Sequence, residues 1–254
     1  MYRCGLVSVT YRALSHREVI DLAADAGLSC IEWGSDVHAP ACDAERLADI
    51  VAYSRERGIE CCSYGTYFRL GLQPLDELVP YIAAARLLGT DVLRIWAGNK
   101  NYTDMTEVER AALIDEARRA AALAAREGIV LCLEWHTQTM TNCLDGALAL
   151  IESVDSPALR LYWQPSQYRP FAHNLAEARR VAPYVVNLHV FAWELASGKL
   201  IRQALSDGRE AWTQYLACFD GTQHALLEFV PDDDPALLSR EAATLRALIK
   251  EEPK

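Results

Sequence analysis

One unit recurs along this chain: a short apolar run, a polar stop, an amphipathic segment, then a glycine and the next apolar run. Gly27, Gly58, Gly89 and Gly128 each follow a helix-like segment and precede a strand-like one. Ser15 and Glu18 make a capping box, and Val19, Ile20, Leu22, Ala23 and Ala26 follow at helical spacing. Gly27 suits the left-handed residue just past that helix, and "SCIEW" reads as the next strand. The unit returns as a helix from Asp43 to Arg57 with the strand "IECCSYG", then as "LDELVPYIAAARLLG" with "DVLRIWAG". An Ala-rich helix from Thr106 to Glu127 leads into "IVLCLEWHTQT".

The second half alternates less regularly. A helix near Leu144 to Ser153 precedes the strand "ALRLYW"; a helix from Leu175 to Val181 precedes "YVVNLHVF". A helix near Glu210 to Phe219 precedes "HALLEFV", and the last helix opens at Asp234-Pro235, an N-cap followed by proline at the first helical position. With "CGLVSVT" at the start, these make eight strand–helix units. Strict alternation implies a parallel sheet, and eight units in about 250 residues match a closed α/β barrel, (β/α)8, here a single domain over residues 1–254. A doubly wound open sheet is the alternative, but no GxGxxG follows the first strand, which removes its dinucleotide-binding form.

Charge and cysteine usage narrow the function classes. The chain carries 35 Asp and Glu against 25 Lys and Arg, with no basic run, which argues against a nucleic-acid surface. No apolar segment approaches the ~18 residues of a membrane span, and no leader-like segment opens the chain, so a cytoplasmic location is expected. The eight cysteines form no CxxC pair and read as reduced, with Cys30, Cys61, Cys62 and Cys132 as small buried hydrophobes. The sequence leaves self-association into a homo-oligomer open.

In such a barrel the active site lies at the C-terminal ends of the strands. The polar residues there are Glu32 with Trp33 and His38; Tyr64, Tyr67 and Arg69; Arg94 and Trp96; Glu134 and His136; Tyr162, Trp163 and Gln164; Asn187 and His189; and Glu228. Barrel closure brings Glu134, Gln164, His189 and Glu228 to one mouth. Two carboxylates confined together repel unless a cation lies between them. These four donors suit one divalent metal ion, Mn2+ or Mg2+ first and Zn2+ as an option. Pairing of Glu134 with Arg94 is the competing reading. Trp33, Trp96, Trp163 and Trp193 offer an apolar platform for a sugar's C–H face.

The motifs "IEWGSDVHAP", "SYGTYFRLG", "LEWHTQTMTN", "YWQP", "NLHVFAW" and "LLEFVPDDDP" resemble, in order, the strand-end motifs of the xylose isomerase-like TIM barrels, in particular the sugar phosphate isomerase/epimerase group. The resemblance spans essentially the whole chain. It implies metal ligands at Glu134, Gln164, His189 and Glu228, with Gln164 standing where the family carries Asp, a departure that removes one negative charge. It also implies that Glu134 and Glu228 shuttle protons and that Arg202 in "LIRQALSDG" binds substrate hydroxyls.

The expectation is a metal-dependent isomerase or epimerase of a small sugar or polyol, acting through a cis-enediolate, with Glu134 and Glu228 as catalytic acid and base. Glu32, Trp33, His38, Tyr64, Arg94, Trp96, His136, Trp163 and Arg202 are its expected substrate contacts. A lyase of the inosose dehydratase type and a non-catalytic sugar-binding barrel are the alternatives; a DNA-repair hydrolase fits the acidic balance least.

Overall fold

The computed structural model describes residues 2–221 and 223–250. Eight parallel strands close into a barrel: β1 (Arg3–Val7), β2 (Cys30–Gly34), β3 (Glu60–Leu70), β4 (Val92–Ala97), β5 (Val130–Leu133), β6 (Leu159–Trp163), β7 (Val185–Val190) and, after two further strands, β10 (His224–Leu227). Each strand pairs with its neighbours in the series, and β10 closes the ring on β1. This is the (β/α)8 architecture that the alternation implied. The helices α1 (His16–Asp25), α2 (Ala44–Arg57), α3 (Leu78–Leu88), α4 (Glu107–Glu127), α5 (Leu144–Val154), α6 (Phe171–Val181), α7 (Arg209–Leu216) and α8 (Leu238–Lys250) fill the connections.

Local chemistry sets the helix ends. Ser15 and Thr106 form full capping boxes with Glu18 and Glu109. Gly58, Gly89 and Gly128 end α2, α3 and α4 in the left-handed conformation that glycine adopts without strain. Asp234 does cap a turn, but a 3-10 one, Pro235–Leu237; α8 begins after it.

An addition not legible in the strand–helix count is an antiparallel hairpin, β8 (Ala192–Ala196) and β9 (Lys199–Gln203), inserted between β7 and α7. Its half-exposed strands carry no long apolar run, so the sequence pattern reads there as loop.

Apolar packing falls into two compartments. The large one lies between strands and helices and includes Trp33, Tyr64, Leu131, Leu133 and Trp163. Inside the ring are smaller clusters, Val7, Val9, Cys30, Cys62 and Leu226, and Val92, Cys132 and Tyr162. Strand side chains alternate between these compartments. The cysteines are all free, and Cys30, Cys62 and Cys132 are buried. Among the described residues no helix is long and apolar enough to cross a membrane.

Candidate metal and active site

Five ionisable groups meet above the inner clusters. Glu32 and Arg94 project inward from β2 and β4, and His189 from β7. Glu134 and Glu228 stand one residue beyond β5 and β10, each still tied to the neighbouring strand by its backbone: Glu134 N–H donates to Ile95 O at 3.1 Å and Glu228 N–H to Val190 O at 3.0 Å. Ring closure thus gathers five groups that the chain spaces widely apart.

Arg94 is the hub. Its Nε donates to Glu32 Oε1 at 2.9 Å and its Nη1 to Glu134 Oε2. Burial opposes its charge, but the carboxylates of Glu134 and Glu32 outweigh burial and raise its pKa. Burial pushes the Glu32 carboxyl up, yet Arg94 and His189 hold it well below the usual carboxylate range. Ser63 Oγ also donates to Glu32 at 2.9 Å. Room for this pair comes from Gly65: a Cβ there would sit 2.6 Å from Arg94 Nη2 and 2.9 Å from Glu32 Oε1.

His189 is fully buried, and among the described residues neither ring nitrogen has a hydrogen-bond partner. Nε2 lies 3.4 Å from Glu32 Oε1; Nδ1 lies 3.3 Å from Glu228 Oε2 and 3.9 Å from Glu134 Oε1. Burial disfavours the imidazolium, but Glu228 and Glu32 more than offset it and push the pKa up to about 10. Glu134, His189 and Glu228 each present one donor atom, all within 4.8 Å of one another.

This donor set fits a divalent cation. A buried imidazole with an orphaned nitrogen aimed between two carboxylates is the pattern of a metal-ligating histidine, with Glu32 behind its other nitrogen fixing the ring. Without the ion, three carboxylates face Arg94 and a protonated His189. With a divalent ion and neutral His189, the five groups sum to zero.

Gln164 is buried one residue beyond β6. Its Nε2 donates to Trp135 O at 2.8 Å, which leaves Oε1 buried without a partner. A neutral carbonyl oxygen is therefore available where the family pattern has a carboxylate.

The other expected residues separate by strand parity. Trp96 and His136 meet at the rim, ring centroids 4.7 Å apart. His136 Nδ1 lies 2.7 Å from Thr137 O, which can only accept. Nδ1 therefore carries a hydrogen and Nε2 remains for proton exchange. Trp33, Tyr64 and Trp163 face the helices instead of the mouth. Tyr64 donates to Ala39 O and meets Tyr81 of α3, and Trp163 packs on Trp212 and Tyr215 of α7. They follow inward-facing neighbours by one residue, so the platform expected from four tryptophans does not form.

His38 is buried, with its nitrogens toward Ser8 Oγ at 3.2 Å and Leu14 O at 3.1 Å, leaving neither for a substrate. Arg202 pairs with Asp233 and lies over the rings of Phe229 and Trp193 at 4.6 and 5.5 Å. It ties the β8–β9 hairpin to the segment after β10 and contacts none of the five ionisable groups. Ser63 and Gly65, which shape the site, drew no attention in the sequence. A glycine inside strand "IECCSYG" was the available signal.

A cavity of about 460 Å3 is lined by Gln167, Phe191, Trp193, Gln203, Trp212 and Tyr215, among others.

Comparison with known proteins agrees with this fold. The chain is 24% identical over 174 residues to a 3-dehydroshikimate dehydratase of Bacillus anthracis, a match spanning 63% of this chain and 60% of that protein. A solved structure described as the probable 3-DHS dehydratase AsbF from Bacillus anthracis superposes with a TM-score of 0.79 at 19% identity, covering 97% of this chain and 99% of that one. An L-ribulose 3-epimerase superposes at 0.74 with 18% identity over 99% and 95% of the two chains. A xylose isomerase-like barrel from Mycobacterium smegmatis in complex with magnesium does so at 0.73 with 16% identity over 98% and 97%. The profile of the xylose isomerase-like TIM barrels matches residues 20–222, and the chain belongs to that family.

Proposed function

We propose that this barrel is a metal-dependent enzyme that removes the proton next to a substrate carbonyl and resolves the resulting enolate by expelling a hydroxyl group as water. The observation that carries this reading is the unequal treatment of the two carboxylates around His189. Arg94 donates to Glu134, while Glu228 has no arginine partner among the described residues. Epimerisation by two bases needs two proton carriers on opposite faces of one carbon. Elimination needs one base and one acid.

Glu134, His189 and Glu228, with the Oε1 of Gln164 as a fourth donor, would hold the ion. A divalent ion bound there supplies Lewis-acid polarisation of a carbonyl and an adjacent hydroxyl. Glu228 takes the proton from the carbon alpha to the carbonyl, and the C–H electron pair enters the enolate. His136, through Nε2, gives a proton to the departing beta-hydroxyl, which leaves as water; the C–O pair departs with it and a C=C bond forms. Arg94 holds Glu134 in place, and Trp96 packs His136 at the rim. The dehydratase of Bacillus anthracis supports this reading by its name; its substrate is the first to try.

Convergence of both Glu134 and Glu228 on one point keeps isomerisation as the second reading, since both carboxylates then reach one substrate. The test is to incubate the Mn2+-loaded protein with 3-dehydroshikimate and, separately, with ketoses in D2O. New aromatic ultraviolet absorbance from the first supports elimination. Solvent deuterium in recovered ketose, without such absorbance, transfers the assignment to isomerisation, and the absence of both signals defeats both readings.

A further inference from the structure

Arg69 stands at the mouth without an acid to pair with among the described residues. It lies near the end of β3, level with Trp96 of β4, and its guanidinium carbon sits 4.3 Å from the Trp96 ring centroid. The same ring meets His136 and lies 6.0 Å from the Arg94 guanidinium carbon, so Arg69 belongs to the rim of the site. Among the described residues its only side-chain hydrogen bond runs from Nη1 to Gly98 O at 2.8 Å, and no carboxylate lies within ion-pair distance.

Several arginines of this acidic chain do meet a carboxylate: Arg12 meets Asp36, Arg57 meets Asp21 and Asp25, Arg86 meets Glu127 and Arg202 meets Asp233. Arg69 is half-buried, and burial lowers its pKa while only the more distant Glu134 opposes that. Holding an unpaired, partly desolvated guanidinium costs stability unless a ligand uses it. The stack on Trp96 fixes its plane and leaves Nε and Nη2 without protein acceptors.

We propose that Arg69 receives a carboxylate of the substrate, so that the site takes a polyhydroxylated carbonyl compound bearing a carboxylate rather than a neutral sugar. The inference rests on the metal-site reading above and names the substrate class for it. A planar guanidinium offers two parallel donors to a carboxylate. The charge balance agrees: the metal-loaded group of five sums to zero, so an anionic substrate needs a further cation, and Arg69 supplies it.

The test separates this inference from the reading beneath it. Catechol and 3,4-dihydroxybenzoate present the same vicinal diol to a metal and differ in one carboxylate. Calorimetric titration of the Mn2+-loaded protein should show dihydroxybenzoate binding about tenfold tighter or more. Arg69→Met should abolish that preference while leaving catechol affinity unchanged, and Arg69→Lys should restore part of it. Thermal melts check that both variants fold. Equal affinities in the unaltered protein, which needs no variant, or a preference that survives Arg69→Met, would overturn the proposal. Inorganic phosphate that displaces dihydroxybenzoate in the unaltered protein would also overturn it, in favour of a phosphate site. If neither diol binds and Mn2+ leaves the melting temperature unmoved, the metal-site reading fails and takes this inference with it.

Discussion

The lumen of the barrel contains two polar layers that are chemically unlike. The lower one is neutral: Asn187 Nδ2 donates to the Tyr162 hydroxyl at 2.6 Å, and Asn187 Oδ1 faces His224 Nδ1 at 2.9 Å. Cys30, Cys62 and Cys132 fill the space around it. The upper layer holds Glu32, Arg94, Glu134, His189 and Glu228, all buried. Below, the polar side chains of Tyr162 and Asn187 find protein partners. Above, both nitrogens of His189 and the Oε1 of Gln164 find none. Filling a barrel does not require charge, as the lower layer shows. A buried charged layer with orphaned donors is retained for binding something, and substitutions in the two layers should behave differently.

The largest contrast is in activity. Glu228→Gln keeps size and shape but removes the base and a metal donor, and turnover should fall about 10^2- to 10^4-fold. The matched change in the lower layer, Cys132→Ala, should leave turnover within a few-fold. Steady-state kinetics of the two proteins side by side decide the matter; equal losses would break the division between layers.

Stability gives the next contrast. Glu32→Gln leaves Arg94 and His189 without their buried carboxylate and should destabilise the metal-free protein by about 3 kcal/mol or more in denaturant unfolding. The pH dependence has a definite sign. The folded-state pKa of Glu32 is depressed, so its contribution is present above the unfolded value near 4.3 and is lost as pH falls through the folded value. The gap between the two proteins should therefore hold from neutral pH to about pH 4 and close below it.

His189 sharpens the contrast through the metal. Its raised folded-state pKa of about 10 means that the protonated ring stabilises the metal-free protein fully below about pH 6.5, and that this contribution is lost as pH rises through 10. Metal ligation needs the neutral ring, so stabilisation by Mn2+ over a chelator control should grow between about pH 6 and 9. At a hundredfold excess over Kd it amounts to about 2.7 kcal/mol. A pH-independent metal effect would place the ion away from His189.

The barrel and its charged mouth were legible in the sequence; the neutral layer was not. The eightfold alternation and the glycine caps expose the barrel because both rest on local periodicity and backbone conformation. Glu134, His189 and Glu228 stand out because each ends an apolar strand on a group that burial disfavours. Direction was harder to read. Trp33, Tyr64 and Trp163 sit at strand ends as expected, but parity sends them outward, and register shifts near Glu32, Gly65 and Leu161 blur that parity in the sequence. The exchange of partners is less legible still: that Arg94 bridges Glu32 and Glu134, or that His38 serves Ser8 and Leu14, depends on the relative heights of strands remote in sequence. The β8–β9 hairpin was missed because its strands are neither buried nor apolar.

The smallest expected effect tests the lower layer on its own terms. Asn187→Ala removes the donor to Tyr162 and the acceptor facing His224, and it leaves a small cavity between them. The orphaned partners should destabilise the fold by about 1–3 kcal/mol. Tyr162 meets the His189 ring edge-on at 5.2 Å and also interacts with Glu32, so this loss could climb through it to the charged layer. If the layers are independent, Asn187→Ala lowers the melting temperature equally with and without Mn2+, because the metal affinity is unchanged. A variant that also weakens the Mn2+ response would show that the neutral layer sets the height of His189, and the lumen would then act as one network with Tyr162 at its joint.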